Sequence, residues 1–207
     1  MNPRFDLTGG IGEDNATGAA VGAFLDANPG PVDIFVNSYG GIAHEGAAIF
    51  AALERHGNAT AYVQGVAASA ASLAMLGARK VLIHDAAVVM IHEPGAMAFG
   101  TAATMRKAAD TLDKLSGIYA KTYARATGHP VKRLSAWMAA ETWLTAEEAV
   151  ALHFADAIGG ADAGEPVAVA AFDYRKFKAA PMHLVQMALK NGWATVSPKS
   201  PEMETTR

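Results

Sequence analysis

Between Pro31 and Ile91 short apolar runs alternate with segments of helical periodicity, and that order restricts the fold more than any other feature. Ile34-Phe35-Val36 predicts a buried strand, ending in a turn at Ser38-Tyr39-Gly40-Gly41 where glycine can take positive φ. Ile42 to His56 follows as a helix with Ile49, Phe50 and Leu53 on one side, stopped by Gly57-Asn58. Ala59 to Val63 predicts a second strand and Ser69 to Gly77 a small-residue helix. Lys80 to His84 and Ala87 to Ile91 predict two short strands broken at Asp85. Parallel neighbours need crossover connections, so strand, helix, strand, helix, strand implies an α/β fold with a mainly parallel sheet.

Downstream the pattern turns helical. Thr101 to Ala126 predicts one long amphipathic helix, with Met105, Ala109, Leu112, Leu115, Ile118 and Tyr119 on one face. Gly128 stops it, and Pro130 opens a shorter helix. Thr145 and Glu148 have capping-box spacing and start a helix over Ala146 to Leu152. The expected organisation is an N-terminal segment 1–28, a main domain 29–160, a C-terminal extension 161–190 and a disordered polar tail 191–207.

Composition narrows the function classes. With no cysteine, disulfides, thiolate catalysis and Cys-ligated zinc are excluded, which fits a reducing cytoplasm. The net charge is -3 and Lys and Arg are scattered, so nucleic acid is not an expected partner. Residues 56–78 carry no Asp, Glu, Lys or Arg, yet their Ala, Ser and Gly content reads as a buried strand and tightly packed helix rather than a membrane span. Met1 to Leu7 has no signal-peptide pattern. Gly9-Gly10-Ile11-Gly12 lacks the strand and downstream pattern of a dinucleotide loop, no Walker sequence occurs, and His92-Glu93 has no second zinc ligand. No metal or cofactor is expected.

The chemistry-bearing candidates lie at the ends of the apolar runs. Ser69 sits in Gly65-Val66-Ala67-Ala68-Ser69-Ala70-Ala71-Ser72, among residues small enough for a peptide backbone to approach. At a helix start it would meet unpaired N–H groups able to hold an oxyanion, although the same alanines also suit a plain packing seam. Gly40-Gly41 could add a second N–H, with an ordinary turn as the bland alternative. His92 ends the run Val88-Val89-Met90-Ile91, where parallel sheets collect ligands, and imidazole is the base suited to activating a serine. His44, His56, His84, His129, His153 and His183 stand singly and read as surface or structural.

Asn37-Ser38-Tyr39-Gly40-Gly41, Gly65 to Ser69, Met90-Ile91-His92-Glu93-Pro94 and Glu147-Glu148-Ala149-Val150 with Asp156 stand in the order seen in the Clp protease proteolytic subunit family. The resemblance spans roughly residues 30 to 158, and Ala16–Leu25 and Met138 to Thr145 look like its phage and prophage head maturation branch. It implies a Clp protease/crotonase-like fold, with Thr101 to Ala126 as a protruding helix through which rings stack. It implies Ser69 as nucleophile, His92 as general base, and the N–H groups of Gly41 and Ala70 as oxyanion hole. The partners implied are further copies of the chain in a ring and peptide substrates such as scaffold or capsid segments. An AAA+ unfoldase partner is not evident.

One family position departs. Threading Thr127-Gly128 and Glu148-Ala149 without gaps puts Trp137 where the family carries its third triad member, an aspartate. Glu141 is the nearest acid, and a helix over Ala136 to Glu141 would put residues 137 and 141 on one face. Asp110, Asp113 and an acid-free dyad are the alternatives. The function expected is an ATP-independent serine endopeptidase of prohead maturation. A non-catalytic ring or shell protein and a crotonase-like acyl-CoA enzyme are the competing readings.

Overall fold

A computed structural model of the chain describes residues 1–159 and 169–194. Contacts divide it into Met1–Ala170 and Ala171–Arg207. In chain order the first unit contains β1 (Arg4–Ile11), α1 (Gly18–Ala27), β2 (Val32–Gly41), α2 (Ala43–His56), β3 (Ala59–Ala68), α3 (Ala70–Met75), β4 (Lys80–Ile83) and β5 (Val88–Ile91). After these come α4 (Ala102–Thr127), α5 (Val131–Ala140), β6 (Thr142–Leu144), α6 (Ala146–Ala151) and β7 (Ala157–Ile158). The second unit holds a 3₁₀ turn at Tyr174–Lys176 and α7 (Met182–Lys190), with Tyr174, Leu184 and Ala188 buried. The expected disordered tail lies, from residue 195 on, outside the described residues.

The sheet runs β1-β2-β3-β4-β7, all parallel. The ten-residue β3 serves two neighbours in turn. Thr60–Val63 pairs with β4, and Val66–Ala68, beyond the end of β4, pairs with β5. β5 in turn takes β6 as an antiparallel partner. The expected parallel α/β sheet is therefore the observed one. Val21 and Leu25 of α1 and Ile49, Phe50 and Leu53 of α2 are buried in the core that contains Leu7, Ile34, Val36, Val63 and Ile83 of the sheet. Apolar burial on this scale is the main favourable term in folding.

Three features differ from the expectations. Arg4–Ile11 is a strand, so Gly9-Gly10-Ile11 closes the strand that the sequence reading denied it, and residues 1–28 supply both β1 and α1. β2 does not turn at Ser38 but continues to Gly41, because the Ser38 hydroxyl donates to the Gly9 carbonyl at 2.6 Å and ties the two strand ends together. β3 likewise extends past Val63 to Ala68, and α3 is shorter than the predicted helix. The long helix is present as expected. Only Tyr119, Ala120, Tyr123 and Thr127 of α4's 26 residues are buried, so its last turns pack while its first turns stand exposed. No helix among the described residues is long and apolar enough to cross a membrane.

Candidate active site

The site forms where β2, β3 and β5 end side by side. Ser69 follows β3 directly and is the N-cap of α3, with φ 56° and ψ -123°. A non-glycine residue rarely adopts such angles, and holding one there costs on the order of 1–3 kcal/mol. An N-cap serine usually turns its oxygen onto the helix's own N–H groups. Ser69 makes no such bond. Its Oγ instead lies 2.7 Å from Nε2 of His92.

The topology explains the meeting. Ala68 is in register with Met90 across the parallel β3–β5 pair, and the Ser69 N–H donates to the Met90 carbonyl at 2.9 Å. Parallel neighbours finish at the same edge of a sheet, so the residue after β3 and the residue after β5 emerge together. A run of small residues leaves room for them. A Cβ on Gly40 would stand 2.6 Å from Ser69 Cβ and 2.6 Å from the Ala68 carbonyl, so only glycine lets β2 pass this close. The packing-seam reading of the alanines is also true, since a Cβ on Gly46 of α2 would lie 2.6 Å from the Ala70 carbonyl oxygen.

The glycine pair is divided in its bonding. The Gly40 N–H donates to Ser38 Oγ at 3.1 Å. Gly41 has φ 153° and passes against β1, where a Cβ would collide with the Ile11 carbonyl at 2.3 Å. The next N–H, that of Ile42, donates back to that carbonyl at 2.8 Å. Ala70 opens α3, and the first N–H groups of a helix have no acceptor within it.

Glu141 is 5% exposed, an uncommon setting for a carboxylate without partners. Its Oε1 accepts from Trp143 Nε1 at 3.2 Å. It is not on the helical face expected for it: α5 stops at Ala140, and Glu141 is the left-handed C-cap, φ 54°, that turns the chain into β6. The β5–β6 ladder pairs Val89 with Leu144, Met90 with Trp143 and Ile91 with Thr142. The ladder ends with that last pair, His92 being the residue after Ile91 and Glu141 the residue before Thr142. The Trp137 ring packs edge-on to His129 with ring centroids 5.2 Å apart and under the Arg133 guanidinium at 4.4 Å. Asp110 and Asp113 lie on the exposed part of α4.

Two further side chains touch the serine, and neither was singled out by sequence. Ser72 Oγ donates to the Ser69 carbonyl at 2.7 Å, and the Tyr123 hydroxyl on α4 lies 2.8 Å from Ser72 Oγ and 3.3 Å from the same carbonyl. Burial pushes the Tyr123 hydroxyl well above the usual tyrosine range, so it stays protonated. The other histidines bond mostly to backbone: His129 Nε2 to Leu152 O at 3.1 Å, His153 Nδ1 to Thr127 O at 3.1 Å and His56 Nε2 to Asn28 O at 2.9 Å. Among the described residues no group of three or more His, Asp or Glu side chains is arranged to hold a metal ion.

Comparison with known proteins gives a consistent picture. A family model described as Clp protease matches residues 19–162. The chain is 30% identical over 151 residues to the ATP-dependent Clp protease proteolytic subunit 3 of Rhodococcus jostii, covering 69% of this chain and 74% of that protein. It is 29% identical over 132 residues to the ATP-dependent Clp protease proteolytic subunit 2 of Thermobifida fusca, covering 61% and 64% respectively. Among solved structures, a ClpP1 variant from Listeria monocytogenes superimposes with a TM-score of 0.66 at 22% identity, over 77% of this chain and 93% of that one.

Proposed function

Because the chain belongs to the Clp protease family, we propose that it is a serine endopeptidase in which Ser69 attacks the scissile carbonyl. The observation that carries the reading is the 2.7 Å contact between Ser69 Oγ and His92 Nε2 at a serine whose backbone is held out of the common φ/ψ regions. Strain of this kind exposes a nucleophile at a strand-to-helix turn. His92 accepts the serine proton as the tetrahedral intermediate forms and returns it to the leaving amine. Water then hydrolyses the acyl-enzyme with the same base.

The negative oxygen of the intermediate is held by backbone. The Gly41 N–H is the first donor, the N–H of the next residue, Ile42, being taken up by the Ile11 carbonyl of β1. The Ala70 N–H is the second donor. Preorganised donors of this kind each contribute about 10²–10³ in rate. Glu141 is the third member: its buried carboxylate accepts from the Trp143 indole, and the residue directly precedes the Thr142 that pairs with Ile91, as His92 directly follows Ile91. A carboxylate there sets the imidazole tautomer with Nε2 free to accept, and stabilises the imidazolium.

The substrate class is extended polypeptide, and the assembly a ring of like subunits. The sequence at Met138 to Thr145, which supplies Glu141, resembles the prohead maturation branch and favours scaffold or capsid proteins as substrates. The chemistry requires neither metal nor nucleotide. The test is casein or scaffold-protein cleavage by wild-type and Ser69→Ala protein. Cleavage is expected to fall to background in the variant, and cleavage at the wild-type rate would remove Ser69 from the mechanism.

A further inference from the structure

We infer that Tyr123, relayed through Ser72, is a positioning residue for the nucleophile, an assignment that rests on Ser69 being the reactive serine. The strained backbone of Ser69 is tied at its N–H to the Met90 carbonyl, and the flanking alanine side chains add no polar group. The other tie is at its own carbonyl. Ser72, one turn into α3 and fully buried, donates its hydroxyl to that carbonyl at 2.7 Å, closer than the Ser72 and Leu73 N–H groups at 3.1 and 3.4 Å.

A hydroxyl has one proton, so Ser72, having given its own to Ser69, accepts at 2.8 Å from Tyr123. With its one proton on Ser72, the phenol oxygen stands 3.3 Å from the same Ser69 carbonyl with no second proton to give. The three oxygens thus form a triangle crossed by one relay, Tyr123 to Ser72 to the Ser69 carbonyl, in which each hydroxyl proton has one direction to go. Such buried networks stiffen what they contain.

The triangle links distant parts of the chain. Tyr123 belongs to the packed end of α4, 54 residues from Ser69, and its ring rests against Phe154 at 5.9 Å and edge-on to Tyr119 at 6.1 Å. Tyr119, one turn earlier, donates to the Ala43 carbonyl at 2.5 Å, just beyond the Gly40-Gly41 strap. One helix therefore grips the backbone behind both the nucleophile and the oxyanion strand. Phenylalanine at 123 would keep the packing and lose the grip.

The test is the saturation kinetics of fluorophosphonate labelling of the full chain, comparing wild type, Tyr123→Phe, Ser72→Ala and the double variant. A misplaced nucleophile lowers the maximal labelling rate kinact and leaves the half-saturation concentration KI alone, a split that a general loss of folded protein would not give. Tyr123→Phe is expected to lower kinact by about tenfold or more, with KI unchanged within about twofold and the thermal midpoint little moved. The double variant should fall no further than Ser72→Ala, because both act through one carbonyl. Wild-type kinact in Tyr123→Phe, or losses that multiply in the double variant, would overturn the role. If Tyr123→Phe fails to fold, Ser72→Ala decides alone: wild-type kinact there overturns the relay. An unlabelled wild type would instead overturn the serine reading itself, so the two failures are separable.

Discussion

Ser69 spends its side chain differently from most serines that begin a helix. Its hydroxyl faces His92 and not the α3 backbone, and the capping work falls to its carbonyl, which accepts from the N–H groups of Ser72 and Leu73. The carboxylate proposed behind His92 is subtler. The sequence offers Glu141 as the nearest acid on a helical face shared with Trp137, whereas α5 stops before it and Glu141 sits in a left-handed turn into β6. Helix ends of this kind are hard to read without glycine at the cap. Glu141→Gln removes the charge and keeps the Trp143 bond available. It should lower peptidase kcat by about 10²–10⁴-fold, by analogy with an orienting carboxylate turned into an amide. Activity within a few-fold of wild type, measured on casein, would mean that Ser69 and His92 work as a dyad.

At the scale of elements, the ends of β2, β3 and β5 make the site, and their lengths were what the sequence hid. Asn37-Ser38-Tyr39-Gly40-Gly41 has turn chemistry, yet Ser38 bonds across to Gly9 and carries the strand to its last glycine. β1 carries the alternation of an edge strand over Arg4 to Thr8, but it is short and runs into Gly9-Gly10, a pair that reads as loop. Gly40→Ala tests the close passage. The new methyl would need to displace Ser69 Cβ, so fluorophosphonate labelling should drop at least tenfold, roughly what a misplaced reacting group costs, while the far-ultraviolet dichroism stays native. Labelling at the wild-type rate would show that the strap has room to spare.

The docked end of α4 also has a pH signature. Burial raises the pKa of both Tyr119 and Tyr123 above the ordinary value of 10.0. The folded chain therefore keeps two protons that the unfolded chain releases. Their contribution to stability is complete below pH 10 and is lost progressively as the pH rises above it. Denaturation followed by urea at increasing alkaline pH should show falling stability, and Tyr123→Phe should flatten that dependence. An unchanged slope would indicate that water reaches the phenol.

For the whole molecule, the alternation of apolar runs and helical periods between Pro31 and Ile91 was enough to read the parallel sheet, because each crossover leaves its own periodicity in the chain. What no local pattern encodes is which strand pairs with which part of another. That β3 outlasts β4 and takes β5 as a second neighbour is a tertiary outcome, and it is the step that carries His92 to Ser69. The same holds for Tyr119, which in sequence is one more residue of an apolar face, and for Tyr123, which sequence did not single out. The exposed turns of α4, with Met105 and Ile118 outward, fit the ring-stacking role the family resemblance implies. The proposed activity is then best examined in the full chain at concentrations that permit assembly. The decisive measurement is mass-spectrometric mapping of a fluorophosphonate adduct on that protein. A single adduct on Ser69, absent when His92 is replaced by alanine, is the predicted result; an adduct on another residue, or labelling of Ser69 undiminished in His92→Ala, would contradict it.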